Sequence, residues 1–99
     1  MPRPEIGVRA RLGPAVQNPT RSSATIWFSL ASEGPARLAI YDLTGRRVRM
    51  LRNGIITAGP QSARWDLTQE SGTRAGPGLY LCELSTAGGR ISRKLIVLD

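Results

Sequence analysis

The stretch YDLTGRRV, residues 41–48, holds the side chains that come closest to a reactive loop in this sequence. It brings an acid, a hydroxyl, a glycine and two arginines together, so it could form a catalytic loop, a phosphate-binding loop or a turn between strands. An aspartic-protease dyad needs a second copy of its motif, and here Leu43 separates Asp42 from Thr44. A phosphate-binding loop would lead into a helix, and no helical periodicity follows Gly45.

The remaining interpretation of this stretch is a β-hairpin turn. Asp42 can accept hydrogen bonds from main-chain N–H groups inside the turn, and Gly45 can adopt the positive φ that reverses the chain. We therefore assign Gly45 a structural role and expect a strand to resume at Arg46.

Composition narrows the chemistry further. The 99 residues include no histidine and one cysteine, which excludes an imidazole base, histidine metal ligands and an internal disulfide. We predict a single small domain that is not an enzyme and carries no cofactor and no metal. A calcium site at Asp42, Asp66 and Glu70 stays an alternative, although these acids lack the regular spacing of a calcium loop.

Basic residues outnumber acidic ones by 14 to 7, which gives a net charge of +7 and favours a polyanionic partner. Two basic groups could merge into one patch that binds lipopolysaccharide, an acidic glycan or nucleic acid: Arg46, Arg47, Arg49 and Arg52, and Arg90, Arg93 and Lys94. Nucleic acid is disfavoured, because the sequence has few aromatic residues and no stacking platform. A solvated basic face is the simplest interpretation.

The sequence contains neither a run of about 18 apolar residues nor the apolar core of a secretory signal. We expect no membrane span. The protein is then either cytoplasmic or one piece of a longer exported chain.

Alternation of apolar and polar residues supplies the elements that would position these side chains. It predicts seven short strands: Ile6–Leu12, Ala24–Leu30, Ala36–Tyr41, Val48–Leu51, Ala63–Trp65, Tyr80–Leu84 and Ile91–Val97. Turn signals separate them, among them RNG at Arg52–Gly54 and TAGP at Thr57–Pro60. The predicted fold is all-β: an immunoglobulin-like, fibronectin III-like antiparallel sandwich of about seven strands.

The alternation within each strand predicts which of the larger side chains face the core and which face solvent. Trp65 and Cys82 are in phase with apolar neighbours and are predicted to lie in the core. Tyr80 is expected to form a tyrosine corner, with a buried ring and a hydroxyl bonded to nearby backbone. Trp27 is out of phase with Ile26 and is predicted to be exposed.

Five segments, in this order and at this spacing, resemble a known family. They are NPT with ATIWFSL (Asn18–Leu30), ARLAIYDLTGRRVRML (Ala36–Leu51), TAGPQSARWDL (Thr57–Leu67), GPGLYLCEL (Gly76–Leu84) and SRKLIVL (Ser92–Leu98). The run from Asn18 to Asp99 resembles bacterial C-terminal immunoglobulin-like domains. That family includes the type IX (Por) secretion sorting domain and the related domain of flagellar hook-capping proteins.

The resemblance implies a non-catalytic C-terminal module of an exported protein, secreted or held at the cell surface. It would act in sorting, surface attachment or assembly through contacts with secretion or assembly proteins. Residues 1–17 would form an N-terminal strand and linker, and residues 18–99 the sorting or assembly domain. The last strand would meet the partner, through Arg93, Lys94, Leu95, Ile96 and Val97, because a terminal strand at a sheet edge offers free main-chain groups.

Two alternatives belong to other classes of protein. The N-terminal strand is joined to the rest of the chain by a hinge at Gly13 and Pro14, so it could pair with a neighbouring copy and build a filament. Trp27 with flanking arginines could instead bind carbohydrate, as in an accessory domain. A polyanionic surface glycolipid is a further candidate partner, which the basic residues would contact.

Overall fold

The structure is a computed structural model that describes residues 10–99. Seven strands follow one another: β1 (Ala10–Leu12), β2 (Ala24–Leu30), β3 (Gly34–Tyr41), β4 (Arg47–Ile56), β5 (Gly59–Trp65), β6 (Gly78–Thr86) and β7 (Gly89–Val97). Strands β2 to β7 each include one of the predicted strand segments, and β1 is the described end of the first. Over the described range, no helix has the length and apolarity needed to cross a bilayer.

The strands form two antiparallel sheets that pack face to face. The order is β1-β2-β5 in the three-stranded sheet and β4-β3-β6-β7 in the four-stranded sheet. The fourth strand pairs with β3 and not with β5, which gives the three-plus-four division of a fibronectin III-like domain. The predicted all-β, immunoglobulin-like sandwich is therefore confirmed.

A single hydrophobic core lies between the sheets, and two aromatic residues link it to the loop before β6. Trp65 is fully buried, and its ring meets that of Tyr80 edge to face at a centroid distance of 5.6 Å. Its Nε1 donates to the Thr68 carbonyl at 2.9 Å, while the Tyr80 hydroxyl donates to the Gly76 carbonyl at 2.5 Å. The predicted core position of Trp65 and the tyrosine corner are both present.

The fourth strand is longer than predicted, and the turn predicted at Arg52–Gly54 is wrong. This segment lies inside β4, which pairs with β3 as far as Ile56. Two register shifts interrupt the pairing, one beside Leu38 and one beside Ile40. A bulge sets two residues against one and interrupts the alternation of side chains. The period of two that marks the other strands is consequently lost in β4.

The N-terminal segment joins the sandwich through β1, which pairs with Phe28–Leu30 of β2. Immediately after β1, the Gly13 N–H donates to the Trp27 carbonyl at 2.9 Å. The predicted strand positions Ile6 and Val8 lie outside the described residues. Because β1 is paired within its own chain, exchange with another copy would require this pairing to break.

Candidate functional site

The last strand, β7, is one edge of the four-stranded sheet and contains the five positions predicted to meet a partner. Its side chains alternate: Leu95 and Val97 are buried in the core, whereas Lys94 and Ile96 lie on the outer face. The side chains of Leu95 and Val97 are thus engaged in packing and are not accessible to a partner. The partner-binding roles of the exposed positions stay predictions.

Main-chain groups along an edge strand alternate between its paired side and its outer side. At Lys94 and Ile96 the carbonyls point away from β6, because both bond to groups outside the β6–β7 pair. The same alternation turns the N–H and C=O groups of Arg90 and Ser92 outward. The outer edge therefore has an N-terminal half, Gly89–Arg93, and a C-terminal half that runs from Lys94 to Leu98.

The C-terminal half of this edge is closed by the chain before β2. The Asn18 Nδ2 donates to the Lys94 carbonyl at 3.1 Å, and the Ile96 N–H donates to Asn18 Oδ1 at 2.9 Å. The Thr20 N–H donates to the Ile96 carbonyl at 2.9 Å, and the Leu98 N–H donates to the Thr20 carbonyl at 2.7 Å. The expectation that the whole edge offers free main-chain groups is wrong for this half.

The N-terminal half is open. Among residues 10–99, no hydrogen bond occupies the outward main-chain groups of Arg90 and Ser92. The side chains of Arg90 and Lys94 are exposed on the outer face, one on each side of Ser92 along the strand. We call the N-terminal half, Gly89–Arg93, the open edge.

The Arg93 side chain links the two sheets. Its Nε donates to the Leu12 carbonyl of β1 at 2.8 Å. Because Gly13 bonds Trp27, the alternation of β1 turns the Leu12 carbonyl away from β2, to the free side of the three-stranded sheet. Arg93 therefore spans the gap between β7 and β1, two edge strands of different sheets.

Arg52 makes the equivalent contact on the opposite side of the sandwich. It lies on β4, the other edge of the four-stranded sheet, and its Nη2 donates to the Ser62 carbonyl of β5. Each of the two open sides of the sandwich is thus bridged by one arginine, whose guanidinium donates to a main-chain carbonyl of the other sheet. A guanidinium is suited to this because its charge strengthens the hydrogen bond and its hydration is weak.

The basic residues predicted to form one patch are separated by the fold. Two strands, β3 and β6, separate the group on and before β4 from the group on β7. Within the first group, Arg46 pairs with Asp42 at 3.3 Å and Arg47 pairs with Glu70 at 3.4 Å. Arg49 donates to the Gln69 carbonyl at 3.1 Å. Arginine is used here largely to bind groups of its own chain.

The outer edge of β4 is covered by the loop that follows β5. The Glu70 N–H donates to the Val48 carbonyl at 2.9 Å, and the Met50 N–H donates to Glu70 Oε2 at 2.8 Å. Glu70 thus bonds main-chain groups on the outer edge of β4, as Asn18 does on the outer edge of β7. Among the described residues, no comparable contact covers the open edge of β7.

The YDLTGRRV stretch is a β-hairpin turn, which confirms that interpretation. Asp42 Oδ1 accepts bonds from the Thr44 hydroxyl at 2.6 Å and from the main-chain N–H groups of Thr44 and Arg46. The Thr44 hydroxyl and these further donors lower the pKa of Asp42 to about 2. Gly45 has φ +89°, as the turn requires. The acid is therefore a structural acceptor.

The acids proposed as calcium ligands lie in separate places. Asp66 Oδ1 accepts from the Thr68 hydroxyl at 2.6 Å, which lowers the pKa of this carboxyl, while Asp42 and Glu70 are bound as described above. In the part of the chain that the structure describes, no three metal-ligating side chains come together.

Trp27 and Cys82 lie in contrasting surroundings. The Trp27 side chain is 52% exposed on the outer face of the three-stranded sheet, as its phase predicts. Cys82 is buried, and burial, with a smaller contribution from the charge of Glu83, raises the pKa of its thiol to about 12. The thiol therefore stays protonated and unreactive near neutral pH.

Sequence reasoning missed Asn18 as the group that closes half of β7. NPT was noted only as a landmark of the resemblance, and the partners of Asn18 lie 76 and 78 residues further along the chain. An Asn-Pro pair next to a strand is a common turn signal, so the local sequence gave no reason to place it against β7.

Comparison with known proteins was made on the sequence and on the fold. The family model of the secretion system C-terminal sorting domain matches residues 18–98. A comparison with curated proteins gave no match.

Solved structures share the sandwich. Dimeric latent PorU from Porphyromonas gingivalis is 29% identical, with a TM-score of 0.63 over 91% of this chain and 9% of that chain. FlgD from Xanthomonas campestris, a protein of hook capping in flagellar assembly, is 27% identical, with a TM-score of 0.56 over 90% of this chain and 67% of that chain.

PorZ, a surface component of the type IX secretion system of P. gingivalis, has a TM-score of 0.57 over 91% of this chain and 11% of that chain. Its identity of 18% supports the fold alone. The chain spans about a tenth of the length of the two Porphyromonas proteins.

Proposed function

Because this chain belongs to the family of secretion system C-terminal sorting domains, we propose that it is a non-catalytic module that presents an exported protein to its secretion machinery through the open edge of β7. Residues 18–99 form the sorting domain in this proposal. The protein to which it belongs is delivered outside the cell or to the cell surface.

The open main-chain groups of Arg90 and Ser92 carry the proposal. An edge strand with unpaired N–H and C=O groups can accept a further strand from a partner, and natural proteins usually protect such edges. Here the protection is selective: Asn18 and Thr20 cover the C-terminal half and leave the N-terminal half uncovered. A partner can thus add main-chain bonds at one end of β7 without disturbing the core.

Charge beside the open edge favours an acidic partner. Arg90 and Lys94 project to the same outer face on either side of Ser92, and their side chains are exposed. Opposite charges on the two partners, at the rim of an interface, increase the association rate and the specificity more than they increase affinity. We therefore expect the bound segment to be extended and to carry acidic side chains next to its pairing residues.

The test is export of an inert reporter that carries the whole 99-residue chain at its C terminus, in a bacterium with type IX secretion. The deciding variant is Ser92→Pro. Proline removes the outward N–H, which makes no bond to β6, and proline is tolerated at such positions on edge strands. We expect the wild-type fusion to reach the cell surface and Ser92→Pro to remain inside.

The matched control is Ser92→Ala, which changes the side chain and keeps the N–H. It should be exported like the wild type, and circular dichroism should show all three proteins folded. Export of Ser92→Pro at the wild-type level would exclude the open edge as the recognition surface. Retention of the wild-type fusion would leave an assembly role of the kind in which FlgD takes part.

A further inference from the structure

The outer face of the three-stranded sheet is a second exposed surface, independent of β7. Trp27 lies at its centre, on the middle strand β2, with Gly13 beside it on one neighbouring strand segment and Ser62 opposite it on the other. Because these neighbours are small, the indole stands above them and is 52% exposed. The indole face is therefore accessible from solvent.

Two arginines flank the indole diagonally. Arg11 of β1 is opposite Ser29, and Arg64 of β5 is opposite Thr25, so each lies two positions along from Trp27 on the adjacent strand. Such diagonal neighbours are roughly 7–8 Å apart, within reach of long side chains. Arg11, Trp27 and Arg64 thus form an oblique row of about 16 Å across the face, from the usual strand spacing and rise.

Within the described part of the chain, no ion pair involves the arginines of this face. None of β1, β2 and β5 contains an aspartate or a glutamate. The two ion pairs found within residues 10–99 involve Arg46 and Arg47, and the arginines that bond main-chain carbonyls are four others. Among residues 10–99, Arg11 and Arg64 therefore have no such partner and can meet an external anion.

We propose that this row, the Trp27 face, binds an acidic polysaccharide, a linear chain of sugar rings that bear carboxylates. The flat, apolar face of a sugar ring can lie on the indole, and each guanidinium can take a carboxylate in a bidentate contact. The hydroxyl groups of Thr25, Ser29 and Ser62, which share the face, offer further hydrogen bonds to sugar hydroxyls. Single-stranded nucleic acid fits less well, because its binding surfaces use several aromatic residues and this face has one.

The experiment follows the two indole N–H signals of the full chain in a ¹H–¹⁵N spectrum during titration with oligogalacturonate. Trp65 provides an internal reference, because its Nε1 is bonded to Thr68 inside a fully buried side chain. We expect the Trp27 signal to shift in a saturable way and the Trp65 signal to stay in place. Addition of salt should weaken binding, because the arginine contacts are exposed.

Three variants define the contacts. Trp27→Ala should weaken binding by about tenfold or more, and Arg11→Gln and Arg64→Gln by about fivefold each. Arg90→Gln, which lies on the other sheet, is the matched control and should leave binding unchanged. Every one of these side chains is exposed, so the fold should be retained.

Other outcomes would overturn the proposal. An equal shift with a neutral oligosaccharide of the same length would show that the arginines do not select the ligand. Tighter binding of single-stranded DNA or of polyglutamate would assign the face to another class of polymer. A Trp27 signal that does not move would show that this face does not bind sugar.

Discussion

The two halves of β7 share one strand and differ in almost every other respect. From Lys94 onward, the strand contributes Leu95 and Val97 to the core, and its outer edge is bonded to Asn18 and Thr20. From Gly89 to Arg93, its side chains are largely exposed, and no hydrogen bond within residues 10–99 occupies the outward main-chain groups of Arg90 and Ser92.

The difference shows how one strand can serve both stability and recognition. A fully open edge would invite pairing with any exposed strand, whereas a fully closed edge would leave nothing to bind. Confining the open groups to one end limits the length of strand that can be added. The closed end keeps β7 attached to the sandwich while the open end is engaged.

Substitution in the core-facing part of β7 should have the largest effect. Leu95→Ala removes a fully buried side chain, and we expect unfolding free energy to fall by about 2–5 kcal/mol in chemical denaturation. Ser92→Ala, in the open half, should change it by less than about 0.5 kcal/mol. Similar losses for the two variants would mean that the halves do not differ in stability.

Removal of the Asn18 side chain, which covers the C-terminal half of the β7 edge, should have the next largest effect on stability. Asn18→Ala leaves the Lys94 carbonyl and the Ile96 N–H without their partner, which should cost about 1–3 kcal/mol. Hydrogen exchange should accelerate at the Ile96 amide and change less at Leu98, which Thr20 still holds.

Asn18→Asp serves as the partial variant. The carboxylate keeps an acceptor for the Ile96 N–H but has no donor for the Lys94 carbonyl. Protection at Ile96 should therefore be intermediate or retained. Unchanged exchange at Ile96 in the alanine variant would contradict the cover that we assign to Asn18.

The two arginines of β7, Arg93 and Arg90, should also differ in their contribution to the free energy of unfolding. Arg93→Gln removes the bond to the Leu12 carbonyl between the sheets, and we expect a loss of about 1–2 kcal/mol in thermal or chemical unfolding. Arg90→Gln should cost less than about 0.5 kcal/mol, because its side chain is exposed. Export of the reporter should respond in the opposite order.

Acid should affect the hairpin at Asp42 before it affects β7. The Asp42 carboxyl has a pKa of about 2 in the folded chain against 3.8 as its ordinary value, so its contribution is present above about pH 4 and is lost as pH falls toward 2. The cover on β7 uses an amide and main-chain groups, which do not titrate there. Amide exchange, corrected for its intrinsic pH dependence, should rise at Thr44 and Arg46 over this range and not at Ile96.

Much of the sandwich follows from local pattern. In β2 and in the C-terminal half of β7 the alternation of side chains matches burial, and the turn at Asp42 and Gly45 has its expected chemistry. The pattern fails in β4, where two register shifts upset the alternation, and where the turn-forming residues RNG at Arg52–Gly54 predicted a turn that lies inside the strand. A bulge depends on the partner strand, which local sequence does not identify.

The division of β7 into two halves could not be predicted from the sequence. It depends on Asn18 reaching Lys94 and Ile96, and on Arg93 reaching Leu12, across 76 to 81 residues. A single asparagine or arginine carries no mark of such a distant partner. Alternation did predict that Leu95 and Val97 face inward, yet the resemblance led us to count both among the partner-binding positions.

The bonds between Asn18 and β7 also constrain when the domain can form. These bonds join residues near the start of the domain to its last strand. The outer edge of β7 and the hydrophobic core are therefore incomplete until residues up to Leu98 have left the ribosome. Contacts so distant along the chain give a high contact order and slow folding. A nascent chain that stops before β7 lacks Leu95 and Val97 and exposes the apolar surface they would have covered, which chaperones and proteases recognise.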